Sequence, residues 1–293
     1  MASKQTPKPA PVVATINMKG GVGKTTITAH VLRLLYYRLQ KRVLLIDLDP
    51  QFNLTQTILP ETNYERVKVQ QKTILSVLEP KADPSLYTIS STPAPAPNVE
   101  DIAVLMKFTN KTENRLDLIP GDFGLVKYTL MNDEKSLIPI RQRLLSFIEQ
   151  CREKYDLICI DCNPSSSFLT QCGIFAASHL LVPVRPDRYS ILGLELLDQF
   201  VENMASLPKK PEKIIILNGI PTKNYDPSVE NTLRSSPKFG TKTLSNFLTI
   251  TKLLEASPSY TGFATDRRVA HRAKLTKRIE AVVDELGQVL GLI

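Results

Sequence analysis

Runs of consecutive apolar, often β-branched residues alternate along this chain with stretches whose apolar positions recur every three or four residues. Val12 to Ile16 is the first run, as expected of a strand buried on both faces. Between Thr25 and Leu39 the apolar positions fall at Ile27, Val31, Leu34, Leu35 and Leu39, a helical spacing. Val43 to Asp49 reads as a second strand, ending in acids. Leu116 to Ile119 is a short strand stopped by Pro120-Gly121, and Ile138 to Cys151 is helical. Asp156 to Asp161, His179 to Val184 and Lys213 to Ile220 add three further strands. This alternation predicts an α/β fold: a doubly wound, mostly parallel sheet with helices on both faces and ligands at the carboxyl ends of the strands. No internal repeat interrupts it. Residues 12–293 read as one domain closed by an amphipathic C-terminal helix through Ile279, Val282, Val283, Leu286 and Leu290. Pro60 to Gln71 and Ser90 to Arg115 read as excursions, the second as a surface loop because of its alanine-proline run at Pro93, Pro95 and Pro97.

Composition narrows the class. The chain has 293 residues, 42% of them hydrophobic, enough for a large core. No window approaches the ~20 apolar residues of a membrane span. Residues 1–11 carry Lys4, Lys8 and three prolines but no apolar stretch, so they read as a mobile tail rather than a signal peptide. Cys151, Cys159, Cys162 and Cys172 sit in apolar surroundings, which suits a reducing cytoplasm. Cys159 and Cys162 make a C-x-x-C, but one lies inside a strand and no second pair follows, against a metal or redox role. A net charge of +8 favours a polyanionic partner.

The candidate chemistry begins at Lys19-Gly20-Gly21-Val22-Gly23-Lys24-Thr25-Thr26. A phosphate loop reads G-x-x-x-x-G-K-[ST]; here Met18 holds the first glycine's place and a lysine follows it. Gly23, Lys24 and Thr25 keep the close backbone approach, the phosphate cation and the magnesium hydroxyl. Lying between a strand and a helix start, the loop aims backbone N–H groups and the positive helix end at a phosphate. Lys19 is an added cation, of the kind that reaches a phosphate on a facing subunit. Acids at strand ends supply the rest. Asp161 fits a carboxylate that holds magnesium through its water shell. Asp47 and Asp49 alternate along one strand and share a face, where one could position water and the other assist the metal.

Three blocks, Lys19 to Thr26, Val43 to Gln51 and Ile158 to Ser165, resemble the signature blocks of the ParA/MinD family of deviant Walker ATPases, and Asp47-Leu48-Asp49-Pro50-Gln51 is similar to its ParA/Soj branch. The resemblance runs from Val12 to nearly the end of the chain. It implies a P-loop NTPase fold, ATP and Mg2+ as cofactors, and an ATP-sandwiched homodimer. It implies that Lys19 crosses to the other subunit's nucleotide, that Lys24 and Thr25 are the phosphate lysine and metal ligand, and that Gly20, Gly21, Val22, Gly23 and Thr26 complete the nucleotide loop. Asp49 is implied to orient the hydrolytic water with Asp47 in support, Asp161 to be the acid beside the metal, and Asn218 to recognise adenine, near Val182 to Pro186. Two departures are Asn163, where many relatives have proline, and the length of Ser90 to Arg115.

Arg267, Arg268, Arg272, Lys274, Lys277 and Arg278 are six cations without an intervening acid. Cations at a helix start oppose its dipole, at a few tenths to about 1 kcal/mol each, so the cluster points to DNA-backbone contacts that are salt-sensitive and blind to sequence. By resemblance, Arg188 lies near a DNA-contacting arginine of ParA-like dimers. With eleven residues before the first strand, operator-specific repression by a preceding helix-turn-helix is not expected. The expected function is a slow ATPase switch that binds nonspecific DNA, partitions or positions plasmid or chromosomal DNA, and is stimulated by a ParB-like or other cargo-bound activator, on the nucleoid in the cytoplasm. The alternatives are a ParA-like positioner of protein cargo and a MinD-like membrane ATPase. The latter lacks a basic tail, since Ile279 to Ile293 holds no lysine or arginine, and no stable membrane insertion is expected. Metabolic or redox relatives would need a cluster cysteine pair or a larger substrate domain.

Overall fold

A computed structural model of the chain describes residues 9–81, 85–131, 133–255 and 260–293. Most of the expected tail, residues 1–8, lies outside the described residues. In chain order the elements are β1 (Val12–Thr15), α1 (Lys24–Ile27), α2 (Leu34–Arg38), β2 (Val43–Asp47), α3 (Asn53–Ile58), α4 (Glu61–Val69), α5 (Ile74–Leu78) and α6 (Val99–Ile102). There follow β3 (Val104–Thr109), β4 (Asn114–Ile119), α7 (Lys127–Leu130), α8 (Glu134–Lys154), β5 (Leu157–Asp161) and α9 (Phe168–Ala176). The last third holds β6 (His179–Val184), α10 (Arg188–Glu202), β7 (Glu212–Ile220), α11 (Ser228–Ser235), β8 (Leu248–Thr249) and α12 (Arg272–Val289).

The strands form an eight-stranded sheet in the order β3-β4-β2-β5-β1-β6-β7-β8. Every pairing is parallel except β3 with β4. The central strands are continuous apolar runs because both faces are covered. Alternate residues of β1 go to opposite sides: Val12 and Ala14 join a core with α8, α9 and α10, whereas Val13 joins one with α2 and α12. Register sets Asp161 opposite both Thr15 and Asp47, so three polar side chains line up where β1, β5 and β2 end.

Four expectations change. The first helix is interrupted by a π-helical turn at Thr28–Leu32, and Thr28 Oγ1 within it bonds Thr15 Oγ1 at 2.9 Å and Asp161 Oδ1 at 3.2 Å. Residues 60–71 are not a loose excursion but carry α4, where Tyr64 stacks on Phe52 with centroids 5.4 Å apart. The surface loop expected at 90–115 is corrected in its second half. Residues 90–98 have no regular structure and are tied down by Arg143, whose guanidinium donates to the carbonyls of Ser76, Ala94 and Pro95. Beyond them come α6 and the antiparallel edge strand β3, and a β-bulge between Leu105 and Lys107 breaks the period-2 pattern that reveals a strand. α8 also starts before its expected first residue, with Pro139 inside it and Asp133 accepting from the Lys135 N–H.

Candidate nucleotide site

The turn between β1 and α1 forms one wall of a cleft of about 560 Å³ at the carboxyl ends of the strands. Gly20, Gly21, Gly23, Lys24, Thr25 and Thr26 line one end. Arg185, Asn218, Gly219 and residues 249–251 line the other, with Asp49, Gln51 and Pro164 along the side. Gly23 has φ +94°, and a Cβ there would fall 2.2 Å from Asn218 Nδ2. That amide donates to the Val22 carbonyl at 2.7 Å and ties β7 to the loop. Only glycine fits, for reasons of both φ and space.

Lys24 is buried and its Nζ donates to the Lys19 carbonyl at 3.2 Å. Burial pulls its pKa down while Asp161 and Asp49 pull it up, with a net lowering. Thr25 Oγ1 donates to Asp161 Oδ2 at 2.7 Å. Asp161 is fully buried; that burial and the nearby Asp47 push its pKa well above the usual carboxylate range. Asp49 is also raised by burial, although it accepts from the Gln51 N–H at 2.9 Å. Two carboxyl groups, Asp161 and Asp49, thus face one ammonium. Among the described residues no cluster of three or more His, Cys, Asp or Glu side chains stands ready to hold a metal. The donor set therefore fits a hard cation that takes one hydroxyl from the protein and further oxygens from a phosphate and water, with Asp161 behind it. Magnesium fits; a dedicated protein-only metal cage does not.

One expected role needs correcting on position. Asp47 and Asp49 do not share a face of one strand, because β2 ends at Asp47. Asp47 is fully buried, accepts from the N–H and Oγ1 of Thr55 at 2.8 and 2.7 Å, and does not line the cleft. Asp49 does. Lys19 also leaves its own cleft: Nζ reaches Asp187 Oδ1 at 2.7 Å and Ser190 Oγ at 3.2 Å, at the start of α10. Gly193 makes this approach possible, since a Cβ there would sit 2.7 Å from Asn17 Oδ1 and 3.2 Å from Lys19 Cβ. Partial burial disfavours the Asp187 anion, but bonds from Lys19 and Ser190 outweigh it and hold its pKa low.

The candidate DNA contacts are not brought together. Arg188 begins α10, which packs through Leu194 and Leu197 on one face of the sheet. Arg272, Lys274 and Lys277 lie on α12, packed through Leu275 and Ile279 on the opposite face, with Arg267 and Arg268 just before it. Arg188, Arg268, Arg272, Lys274 and Lys277 are exposed, whereas Arg267 is half-buried 4.8 Å from the Tyr260 ring. Sequence reading missed Asp187 and Thr55 as site residues. Both are partners through tertiary contact; the only local signal was Asp187 placed as a helix cap three residues before Ser190.

A family model described as an AAA domain matches residues 10–214. The sporulation initiation inhibitor protein Soj of Bacillus subtilis is 32% identical over 189 residues, covering 64% of this chain and 62% of that protein. The chain spans about three fifths of the length of the curated relatives it matches first. Among solved structures, a plasmid partition protein from Borrelia burgdorferi bound to AMPPNP superposes with a TM-score of 0.65 at 18% identity, covering 94% of this chain and 98% of that one. pNOB8 ParA bound to nonspecific DNA gives 0.63 at 20% identity, covering 95% and 98%. These two likenesses establish the shared fold.

Proposed function

Because the chain belongs to the ParA/Soj family of P-loop ATPases, we propose that it is an ATP- and magnesium-dependent switch that partitions or positions DNA. In this reading the ATP form pairs with a second copy, the pair holds DNA without regard to sequence, and a partner protein on the cargo stimulates hydrolysis. The observation that carries it is Lys19: a cation inside the phosphate loop whose ammonium points out of its own cleft, 2.7 Å from Asp187. A lysine that served only its own nucleotide would line that cleft, as Lys24 does.

The chemistry falls to few groups. The loop N–H groups and Lys24 bind the phosphates, and Thr25 with Asp161 holds the magnesium, which when bound neutralises phosphate charge. Asp49, at the cleft wall, orients the attacking water. Asp47 acts one step back: its carboxylate fixes Thr55, whose Oγ1 in turn accepts from the Gly121 N–H at 2.8 Å. Asn218, which lines the cleft, recognises the base in this reading. In this reading unstimulated turnover is slow because the partner protein completes or orders the site. Support for a DNA partner comes from the exposed cations around α12, the charge of +8 and the DNA-bound ParA relative.

A membrane-inserting reading gains nothing from the fold. The apolar face of α12 (Leu275, Ile279, Val282, Val283, Leu286) is buried in the core, and no helix among the described residues is long and apolar enough to cross a membrane. Sedimentation with ATP, ADP or no nucleotide tests the switch. The native protein is expected to dimerise with ATP alone, and Lys19→Ala to stay monomeric while still binding ATP. A native protein that stays monomeric with ATP, or a Lys19→Ala variant that dimerises normally, would contradict the reading.

A further inference from the structure

A second cleft, of about 400 Å³, lies between the chain at α7, the start of α8 and the turn after β5. Its apolar wall is made by Met131, Leu137 and Phe168. Ser166, Ser167 and Arg141 also line the cleft. The Arg141 guanidinium carbon is 4.5 Å from the Phe175 ring centroid, and among the described residues no carboxylate pairs with it. A half-buried guanidinium set against an aromatic ring keeps a rigid fork of donors that matches a carboxylate bidentately. Arg141 lines a space whose apolar wall is Met131, Leu137 and Phe168.

The same turn borders both clefts. Pro164 lines the nucleotide cleft, and Ser166 and Ser167, two and three residues on, line the second one. Asn163 between them and Asp161 is held from α9, with Thr170 Oγ1 donating to its Oδ1 at 2.5 Å and Ser167 Oγ at 3.3 Å. A group seated against Ser166 and Ser167 therefore pushes on a short segment that begins at the acid bonded to Thr25.

We propose that this cleft is the docking site of a partner-protein segment that presents a carboxylate beside aliphatic side chains, and that filling it resets the turn at the nucleotide cleft. The occupant follows from charge complementarity: a net charge of +8 and an unpaired guanidinium select an acidic segment, while Met131, Leu137 and Phe168 select leucine-like neighbours. The effect on nucleotide turnover rests on the ATPase reading above; the binding itself does not.

The test uses the full chain labelled at its methionine methyls, five in all, with the Met131 signal assigned by Met131→Leu. The probe is acetyl-Leu-Glu-Leu-amide. It is expected to shift the Met131 methyl saturably, with acetyl-Leu-Gln-Leu-amide binding at least about tenfold more weakly. Arg141→Gln is expected to erase that preference and Arg141→Lys to keep part of it, both retaining fluorescent-ADP binding as a check on folding. Should Arg141→Gln fail to fold, Ser166→Tyr, on the exposed rim, is expected to block the peptide instead. Release of fluorescent ADP is expected to change at least about twofold at peptide saturation. Absence of a saturable shift, or equal binding of the two peptides, overturns the site. So does a shift that follows protein rather than peptide concentration, which would mean that a second copy fills the cleft. Binding without change in ADP release overturns the coupling. Lack of ATP turnover in peptide-free protein is read separately and bears only on the ATPase reading.

Discussion

Asp47 carries no reacting group and still titrates near neutrality. Burial pushes its pKa up to about 7, although the bonds from Thr55 favour the anion. An unfolded aspartate ionises near 3.9, so between about pH 4 and 7 the folded protein keeps a proton that the unfolded chain has lost. The stability from this difference is complete below about pH 4 and is lost as pH rises through 7. Denaturation midpoints of metal-free protein at about pH 5 and 8 are expected to show this decline, shared with Asp161 and Asp49, whose pKa values burial also raises, and Asp47→Asn to make it shallower; an unchanged slope would place the proton elsewhere. Asp49→Ala is expected to bind ATP normally and hydrolyse it on the order of 100-fold more slowly, read by single-turnover phosphate release. At Lys19 the magnitudes favour a weak restraint. The side chains of Lys19 and Asp187 are 30% and 38% exposed, and such ion pairs are worth about 0.2–1 kcal/mol. Asp187→Ala should then let the ATP dimer form at up to about fivefold lower concentration, by light scattering, while loss of the α10 cap lowers thermal stability by about 1 kcal/mol.

Among the elements, legibility in sequence followed how local the cause was. Gly23, Lys24 and Thr25 could be read because a phosphate loop depends on backbone approach and helix start, both set by neighbours in the chain. β1, β5, β6 and β7 could be read because burial on both faces makes them uninterrupted apolar runs. β3 could not: Leu105 and Phe108 point to solvent at a sheet edge, and a bulge disturbs the alternation. The pairing of Lys19 with Asp187 spans 168 positions and leaves no periodic trace. Arg143 is the device that orders the alanine-proline segment, through three carbonyls. Arg143→Ala is expected to cost about 0.5–1.5 kcal/mol in urea unfolding, since partly buried carbonyls lose a charged donor, with nucleotide affinity unchanged. A loss below about 0.5 kcal/mol would mean that the segment holds itself.

At the scale of the whole molecule, the sheet keeps the nucleotide cleft apart from the exposed cations of α12. Its carboxyl edge gathers Thr15, Asp161 and Asp47 in register and hangs the phosphate loop above them. The exposed cations gather at one end of α12 on one face, while α10, which holds Lys19, covers the other. Arg188 therefore cannot be assumed to act with Arg268 and Arg272. Replacing Arg268 and Arg272 with glutamine together is expected to weaken DNA binding and lower the log–log salt slope by about 1.8, the release expected for two phosphate contacts. Arg188→Gln tests the other face by the same readout. The most direct measurement of the switch is binding of a random-sequence DNA duplex with ATP, ADP or no nucleotide at two salt concentrations. Tight, salt-sensitive binding with ATP alone is the expected result. Equal binding in all three states, or none in any while ATP turnover persists, would contradict a nucleotide-gated hold on DNA.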